Sequence, residues 1–154
     1  MIKGEDVRRV RVFADLASPD CEQVARAAAD LSLAQGEYAA REGDDRALFG
    51  LLDGRIEAVK TVDGIDRVVG ERQPGDIFGE VPITFGTKFP VGFRAAEPSR
   101  VMRIEPHEYH AVAAVAPSVA AAVGALASER ITGPRGLQGI AADRPRCLEV
   151  HAVP

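Results

Sequence analysis

The stretch GDIFGEVPITFGTKFPVGFRA, residues 75–95, decides how this chain is interpreted. It belongs to a region, residues 31–104, in which short apolar segments alternate with glycines that recur every 5 to 11 residues. Tight turns between strands of about five residues require such spacing. The pattern predicts a compact antiparallel sandwich or barrel, punctuated by Gly36, Gly43, Gly54, Gly64, Gly70 and Gly75.

One dipeptide in this region gives the strongest hairpin signal. Asp53 and Gly54 stand between the apolar segments ALFGLL and RIEAVK. An Asp-Gly pair readily takes the positive φ angles of a type I′ turn. We therefore predict a β-hairpin that turns at Asp53-Gly54.

Helices are predicted on both sides of the strand-rich region. Ser18 is a candidate N-cap with Pro19 at the first helical position, and the helix that follows should end near Asp30. After Glu105 the sequences PHEYHAVAAVA and PSVAAAVGALASERI predict two more helices, which share one apolar stripe. The stripe consists of Val112, Val115, Val119, Val123 and Leu126. The last helix is rich in small residues, which suit either packing on the sheet or a homodimer seam.

The composition excludes several classes of partner. The 154 residues carry a net charge of −4, which leaves no broad cationic surface for nucleic acid or anionic lipid. We expect neither a nucleic-acid nor a membrane partner, and the absence of a secretory signal near Met1 favours a cytoplasmic location. Cys21 and Cys147 form no C-x-x-C pair, so we expect no zinc site and no dithiol redox motif.

No catalytic or DNA-binding motif is evident. A metal site of the cupin type needs two or three histidines on barrel strands, whereas His107, His110 and His151 all lie outside the predicted strands. Nucleotide-binding and nucleophile-elbow motifs are missing. After Ile131 the chain is rich in glycine and proline and lacks a recognition helix. The chain is therefore predicted not to be an enzyme or a transcription factor by itself.

The order of motifs resembles that of the cyclic-nucleotide-binding domain family. A helix, then REGD, LLDGRIEAVK and PGDIFGE, then two helices follow one another at that family's spacing over residues 13–131. The resemblance implies a mainly β protein. Its fold would be a double-stranded β-helix, or β-roll, with one N-terminal helix, a short cassette helix and two C-terminal helices. It also implies a regulatory domain that takes a small-molecule effector.

In that family a phosphate-binding cassette begins with F-G-E, which here is Phe78, Gly79 and Glu80, followed by Val81. By this resemblance Glu80 accepts hydrogen bonds from a ribose hydroxyl, and Gly79 lets the backbone approach the sugar. The carboxylate and the missing Cβ suit these two roles.

The second half of the cassette departs from the family's Pro-Arg-Ser/Thr-Ala pattern. Those four positions hold Lys88, Phe89, Pro90 and Val91, so the arginine that would clamp a cyclic phosphate is a phenylalanine. Three alternatives remain open. In the first, the pocket takes a cyclic nucleotide weakly or takes another ligand. In the second, Lys88 or Arg94 replaces the arginine in a working sensor. In the third, the domain is a structural or dimerisation module without ligand.

The cassette and the tail also resemble bacterial flavoproteins in which such a domain precedes a thioredoxin-disulfide reductase. Residues 132–154 would then be a linker and the start of a following domain. FAD and NAD(P)H would bind only to that attached enzyme, and this chain would need no cofactor.

Overall fold

The computed structural model describes residues 1–132. Of the predicted linker, residues 132–154, only Thr132 is described, and it is the last residue of a helix; the rest lies outside the described residues. Five α-helices flank eight strands. The helices are α1 (Gly4–Arg8), α2 (Ser18–Ala27), α3 (Glu80–Phe85), α4 (Pro106–Val115) and α5 (Pro117–Thr132), with a 3-10 turn at Arg11–Phe13. The strands are β1 (Ala29–Leu33), β2 (Tyr38–Ala40), β3 (Leu48–Asp53), β4 (Ile56–Val62), β5 (Ile65–Arg72), β6 (Ile77–Phe78), β7 (Gly92–Ala95) and β8 (Ser99–Ile104).

The strands form two antiparallel sheets, as the glycine spacing predicts. One sheet has the order β1-β8-β3-β6 and the other has the order β2-β7-β4-β5. Chain neighbours such as β3 and β4 therefore lie in different sheets, and the chain winds between the two sheets as in a β-roll. The predicted mainly β fold with flanking helices is confirmed.

The predicted hairpin at Asp53-Gly54 is wrong. Strand β3 pairs with β6 and β8, whereas β4 pairs with β5 and β7, so the chain crosses from one sheet to the other at Gly54. The type I′ hairpin lies instead at Asp63-Gly64, where φ is +54° and +78°, between β4 and β5. The two Asp-Gly pairs have the same local chemistry, and strand pairing elsewhere decides which of them closes a hairpin.

Strand β3 separates two apolar clusters. Its residues 48–52 are therefore all buried. Phe49 and Leu51 point into the space between the sheets, whereas Leu48 and Leu52 point towards the helices. The alternation follows from the two-residue period of a strand, and both faces are buried because the sheet has helices on one side and the other sheet on its opposite side.

The N-terminal region contains one helix more than the sequence predicts. Helix α1 precedes α2, and Ile2, Val7 and Val10 are buried in the apolar cluster beneath the helices. Helix α2 begins at Ser18, with Ala17 in the N-cap position, and ends at Ala27. It ends before the predicted Asp30 because Ala28 already has extended backbone angles that lead into β1.

The predicted apolar stripe of the C-terminal helices is confirmed only in part. Val112, Val119 and Val123 are buried, but Val115 is 62% exposed. Ala116, at φ −135° and ψ 77°, breaks the helical path between α4 and α5, so the 3.6-residue period does not continue across it. Helix α5 packs on the core through Val119, Val123 and Ala127.

Gly54 and Gly64 offer a matched test of this architecture, because both have positive φ angles that favour glycine. A Cβ at Gly54 would overlap the Ser99 side chain and lie 2.7 Å from the Pro98 carbonyl oxygen, whereas a Cβ at Gly64 would meet nothing within 4 Å. We expect Gly64→Ala to cost about 1–2 kcal/mol of unfolding free energy. Gly54→Ala should cost about 2 kcal/mol more, because the backbone must also move. Denaturant unfolding measures both; equal losses would contradict the crossing at Gly54.

Candidate functional site

The turn from β6 into α3 places the F-G-E triplet in the interior. Phe78 is fully buried, and its ring stacks on that of Phe49 at a centroid distance of 4.8 Å. Gly79 has φ +89° and precedes the helix. A Cβ there would overlap the Ala47 carbonyl oxygen and lie 3.2 Å from the Phe89 ring. Glycine is therefore required by the protein's own packing, independently of any ligand.

Glu80 is the buried charge of the site. The residue is 2% exposed, and its Oε2 accepts a hydrogen bond from Arg130 Nε at 3.0 Å. Arg72 Nη2 lies 3.5 Å from the same oxygen. The other oxygen, Oε1, is buried and has no hydrogen-bond partner among the described residues. One carboxylate thus faces two guanidinium groups and keeps one oxygen free.

Arg72 reaches the interior from the end of β5. It is 4% exposed, and it donates from Nε to the Ile77 carbonyl oxygen at 3.0 Å and from Nη1 to the Glu71 carbonyl oxygen at 3.2 Å. Burial lowers the pKa of its guanidinium to about 10, and the attraction of Glu80 opposes this shift. Arg72 therefore remains charged at neutral pH. Its Cζ lies 5.4 Å from the centre of the Phe93 ring.

Sequence reasoning missed both arginines. Arg72 lies next to a Gln-Pro-Gly turn, where an arginine is normally solvated, and Arg130 lies 50 residues after Glu80. Only the tertiary fold brings the last two turns of α5 against the beginning of α3. A partial signal existed, because a buried carboxylate requires cationic or hydrogen-bonding partners somewhere in the chain.

The position predicted for the phosphate clamp, residue 89, lies in the core. Phe89 is 2% exposed, and its ring lies 6.2 Å from Phe49 and 5.9 Å from Phe93, both in edge-to-face geometry. Val91 is 6% exposed, and Pro90 is half-buried. Aromatic rings at such separations stabilise a core beyond the area they bury. The side chain of Phe89 therefore packs between the sheets.

The two cations proposed to replace the clamp lie elsewhere. The side chain of Lys88 is 68% exposed, and its Nζ lies 2.7 Å from Asp45 Oδ1. Arg94 points away from the sheet interior, because its neighbours in β7 point inward, and its Nη2 donates to Glu57 Oε1 at 3.1 Å. The structure brings Gly79, Glu80, Val81, Pro90 and Val91 to one cavity and leaves Lys88 and Arg94 outside its lining.

That cavity is small. It measures about 60 Å³ and lies between β5, α3 and α5, with Arg72, Glu80, Val91, Phe93 and Arg130 in its lining. Such a space holds a few water molecules, whereas pockets for drug-sized ligands measure about 300–1,000 Å³. The cavity beside Glu80 is therefore too small for a nucleotide.

Residues 1–132 contain neither a cluster of metal ligands nor a helix that could span a membrane. No group of three or more histidine, cysteine, aspartate or glutamate side chains could hold a metal ion there. Within the same residues, no helix has both the length and the apolar character needed to cross a bilayer.

A β-roll with a buried glutamate after F-G and a helix closing over it defines a class of regulatory ligand-binding domain. The model of the cyclic nucleotide-binding domain family matches residues 30–115. The chain belongs to this family, and it resembles the family's non-catalytic regulatory domains.

Solved structures of the same fold come from diverse organisms. The regulatory subunit of a cAMP-independent protein kinase A from Trypanosoma brucei is 16% identical, with 90% of this chain and 49% of that chain covered and a TM-score of 0.74. The corresponding subunit from Trypanosoma cruzi, bound to guanosine, is 17% identical, with coverages of 90% and 48% and a TM-score of 0.71. The catabolite activator protein of Thermus thermophilus is 22% identical, with coverages of 86% and 61% and a TM-score of 0.70.

The present chain spans about half the length of the kinase regulatory structures that it matches. A search of the curated proteins gave no match.

Glu80→Gln tests whether the buried carboxylate compensates Arg72. We expect the substitution to cost about 3 kcal/mol or more of unfolding free energy, because it leaves a buried guanidinium without its counter-charge. Glu71→Gln is the matched control, since Glu71 pairs with Arg55 at the surface and such pairs contribute at most about 1 kcal/mol. Urea unfolding of both variants gives the comparison. A loss below that of the control would show that Arg72 does not depend on Glu80.

Proposed function

We propose that this chain is a non-catalytic regulatory domain whose degenerate cassette does not hold a cyclic phosphate tightly. One observation carries the proposal: Phe89, at the position of the family's clamping arginine, is buried between the two sheets. The next residue, Pro90, offers neither a hydroxyl nor a backbone N–H.

The expected loss of affinity for a cyclic nucleotide follows from the number of missing hydrogen bonds to its phosphate. A charge-assisted hydrogen bond contributes about 1.5–3 kcal/mol. Two or three such bonds to the phosphate are absent, which amounts to about 3–9 kcal/mol, or on the order of 10² to 10⁶ in affinity. A micromolar site would lose its cyclic nucleotide at physiological concentrations.

Replacement of the clamp by Lys88 or Arg94 gains no support from their surroundings. Lys88 would have to leave Asp45, its ion-pair partner at the surface. Arg94 would have to give up Glu57 and Asp66 and rotate through its own sheet. Relatives of the same fold are compatible with a regulator that does without cyclic AMP, since two of them are described as regulatory subunits of a cAMP-independent kinase.

A purely structural role is the second candidate, and the small cavity favours it. Phe89 and Val91 already fill much of the space between the sheets. In this case the exposed small residues of α5, among them Ala121 and Ala125, would serve a homodimer seam. The two candidates differ in whether any small molecule stabilises the domain.

A bound ligand would exert its regulatory effect through helix α5. Arg130 connects this helix to Glu80, so a ligand that competes with Arg130 for the carboxylate changes how the end of α5 is held. We further propose that the domain controls an attached enzyme. The resemblance of the cassette favours a thioredoxin-disulfide reductase, which would carry the FAD and NAD(P)H.

Calorimetric titration of the 154-residue protein with cyclic AMP and cyclic GMP tests the proposal. We expect no binding tighter than about 100 μM and no thermal shift. A tight ligand would stabilise the fold by about 2.7 kcal/mol at a hundredfold excess over its Kd. Micromolar binding of either nucleotide would overturn the proposal.

The double substitution Phe89→Arg with Pro90→Ser is the converse experiment. It restores the clamp beside Glu80, so cyclic-nucleotide affinity should rise by about tenfold or more. Pro90→Ser alone is the control, because it removes the proline without adding the guanidinium. A double variant that is folded by circular dichroism and binds no better than this control would show that the loop backbone does not place the clamp.

A further inference from the structure

We propose that the cavity beside Glu80 binds a small oxyanion that carries one negative charge and one hydroxyl group, of which bicarbonate is the simplest example. The anion would lie between the guanidinium groups of Arg72 and Arg130 and would donate its hydroxyl hydrogen to Glu80 Oε1. This inference rests on the proposed function, because it names a ligand class for the same regulatory domain. It goes beyond that function, which states only that a cyclic phosphate is not held tightly.

The size of the cavity limits the ligand to a few heavy atoms. Its volume is about 60 Å³. A water molecule needs about 10–15 Å³ of such volume, so the cavity holds about four to six atoms of that size. Bicarbonate, one carbon atom with three oxygens, is within this limit. A sugar or a nucleoside is not.

The unpartnered oxygen of Glu80 requires a hydrogen-bond donor. Oε1 is buried and has no hydrogen-bond partner among residues 1–132, whereas Oε2 accepts from Arg130. A buried acceptor without a partner costs free energy, and a carboxylate can only accept. The ligand must therefore bring a donor, which nitrate, chloride and an ionised carboxylic acid lack.

The charges that line the cavity favour an anion. Arg72, Glu80 and Arg130 are the charged residues of the lining, so the lining carries one net positive charge. Arg72 is itself buried, and a buried charge that is incompletely compensated is costly. A monoanion cancels the excess. Water or a neutral alcohol would satisfy Oε1 but would leave the excess charge in place.

Both arginines keep N–H groups that can bind the oxygens of an anion. Arg72 donates to main-chain carbonyls through Nε and Nη1, and its Nη2 lies 3.5 Å from Glu80 Oε2, which is long for a hydrogen bond. Within residues 1–132, Arg130 donates only through Nε, so its two Nη groups are available. Guanidinium groups bind planar oxyanions through paired N–H···O bonds. Bicarbonate is planar and offers two oxygens without a hydroxyl hydrogen.

The cavity borders solvent at the end of α5, because Arg130 is the one exposed residue of its lining. A bound anion would add a further link between Arg72 in β5, Glu80 in α3 and Arg130 in α5. Binding should therefore hold the end of α5 more firmly against the cassette helix. It should also raise the melting temperature, since the ligand binds the folded state.

Calorimetric titration of the unmodified 154-residue protein with sodium bicarbonate, at fixed pH and ionic strength, tests the inference. Sodium nitrate is the matched control, because nitrate is also a planar monoanion but has no hydroxyl group. We expect bicarbonate to bind at least about tenfold more tightly than nitrate, since nitrate leaves Oε1 without a partner. Line broadening of carbon-13-labelled bicarbonate in NMR spectra gives an independent readout.

Two variants assign the site. Arg130→Gln removes one guanidinium group and should weaken bicarbonate binding by about tenfold or more, because charge-assisted hydrogen bonds are lost. Arg67→Gln removes the same charge at an exposed position of β5 outside the cavity lining, and it should leave the affinity unchanged. The comparison of bicarbonate with nitrate needs no variant, so it tests the inference even if Arg130→Gln does not fold.

The outcomes separate this inference from the proposed function. Absence of bicarbonate binding overturns the inference alone, whereas micromolar binding of cyclic AMP or cyclic GMP overturns the proposed function. Equal binding of bicarbonate and nitrate overturns the role of Glu80 Oε1. Bicarbonate binding that Arg130→Gln leaves unchanged places the anion elsewhere and overturns the assigned site.

Discussion

The structure depends on how the buried carboxylate of Glu80 is neutralised. A charge that is 2% exposed needs partners, and the chain supplies them from β5 and from α5, far apart in sequence. One side chain thus connects a sheet, the cassette helix and the C-terminal helix. The carboxylate is therefore part of an internal ion-pair network, and its Oε1 has no hydrogen-bond partner among residues 1–132.

Phe89, in the second half of the cassette, belongs to a group of aromatic residues near this ion-pair network. Phe49, Phe78, Phe89 and Phe93 contact one another between the sheets. Phe89 therefore contributes to the core. The residues that follow it, Pro90 and Val91, line the cavity beside Glu80.

Local patterns predicted the sheets and both C-terminal helices, because glycine spacing and helical periodicity report directly on secondary structure. The cassette helix was expected from the family resemblance. Local patterns failed where distant parts of the chain decide the outcome. Asp53-Gly54 has the chemistry of a hairpin turn, but its flanking strands pair elsewhere. Gly79 and Glu80 could be named from the F-G-E triplet. Arg72 and Arg130 could not, since only the fold brings them to the carboxylate.

The helix at the beginning of the chain bears on how the domain can respond as a whole. Ile2, Val7 and Val10 share one continuous apolar cluster with Val119 and Val123 of the last helix. Strain introduced at residue 1 is therefore transmitted through close-packed side chains to α5, because such an interior deforms little. A protein attached before residue 1 would be mechanically coupled to α5 as directly as one attached after it.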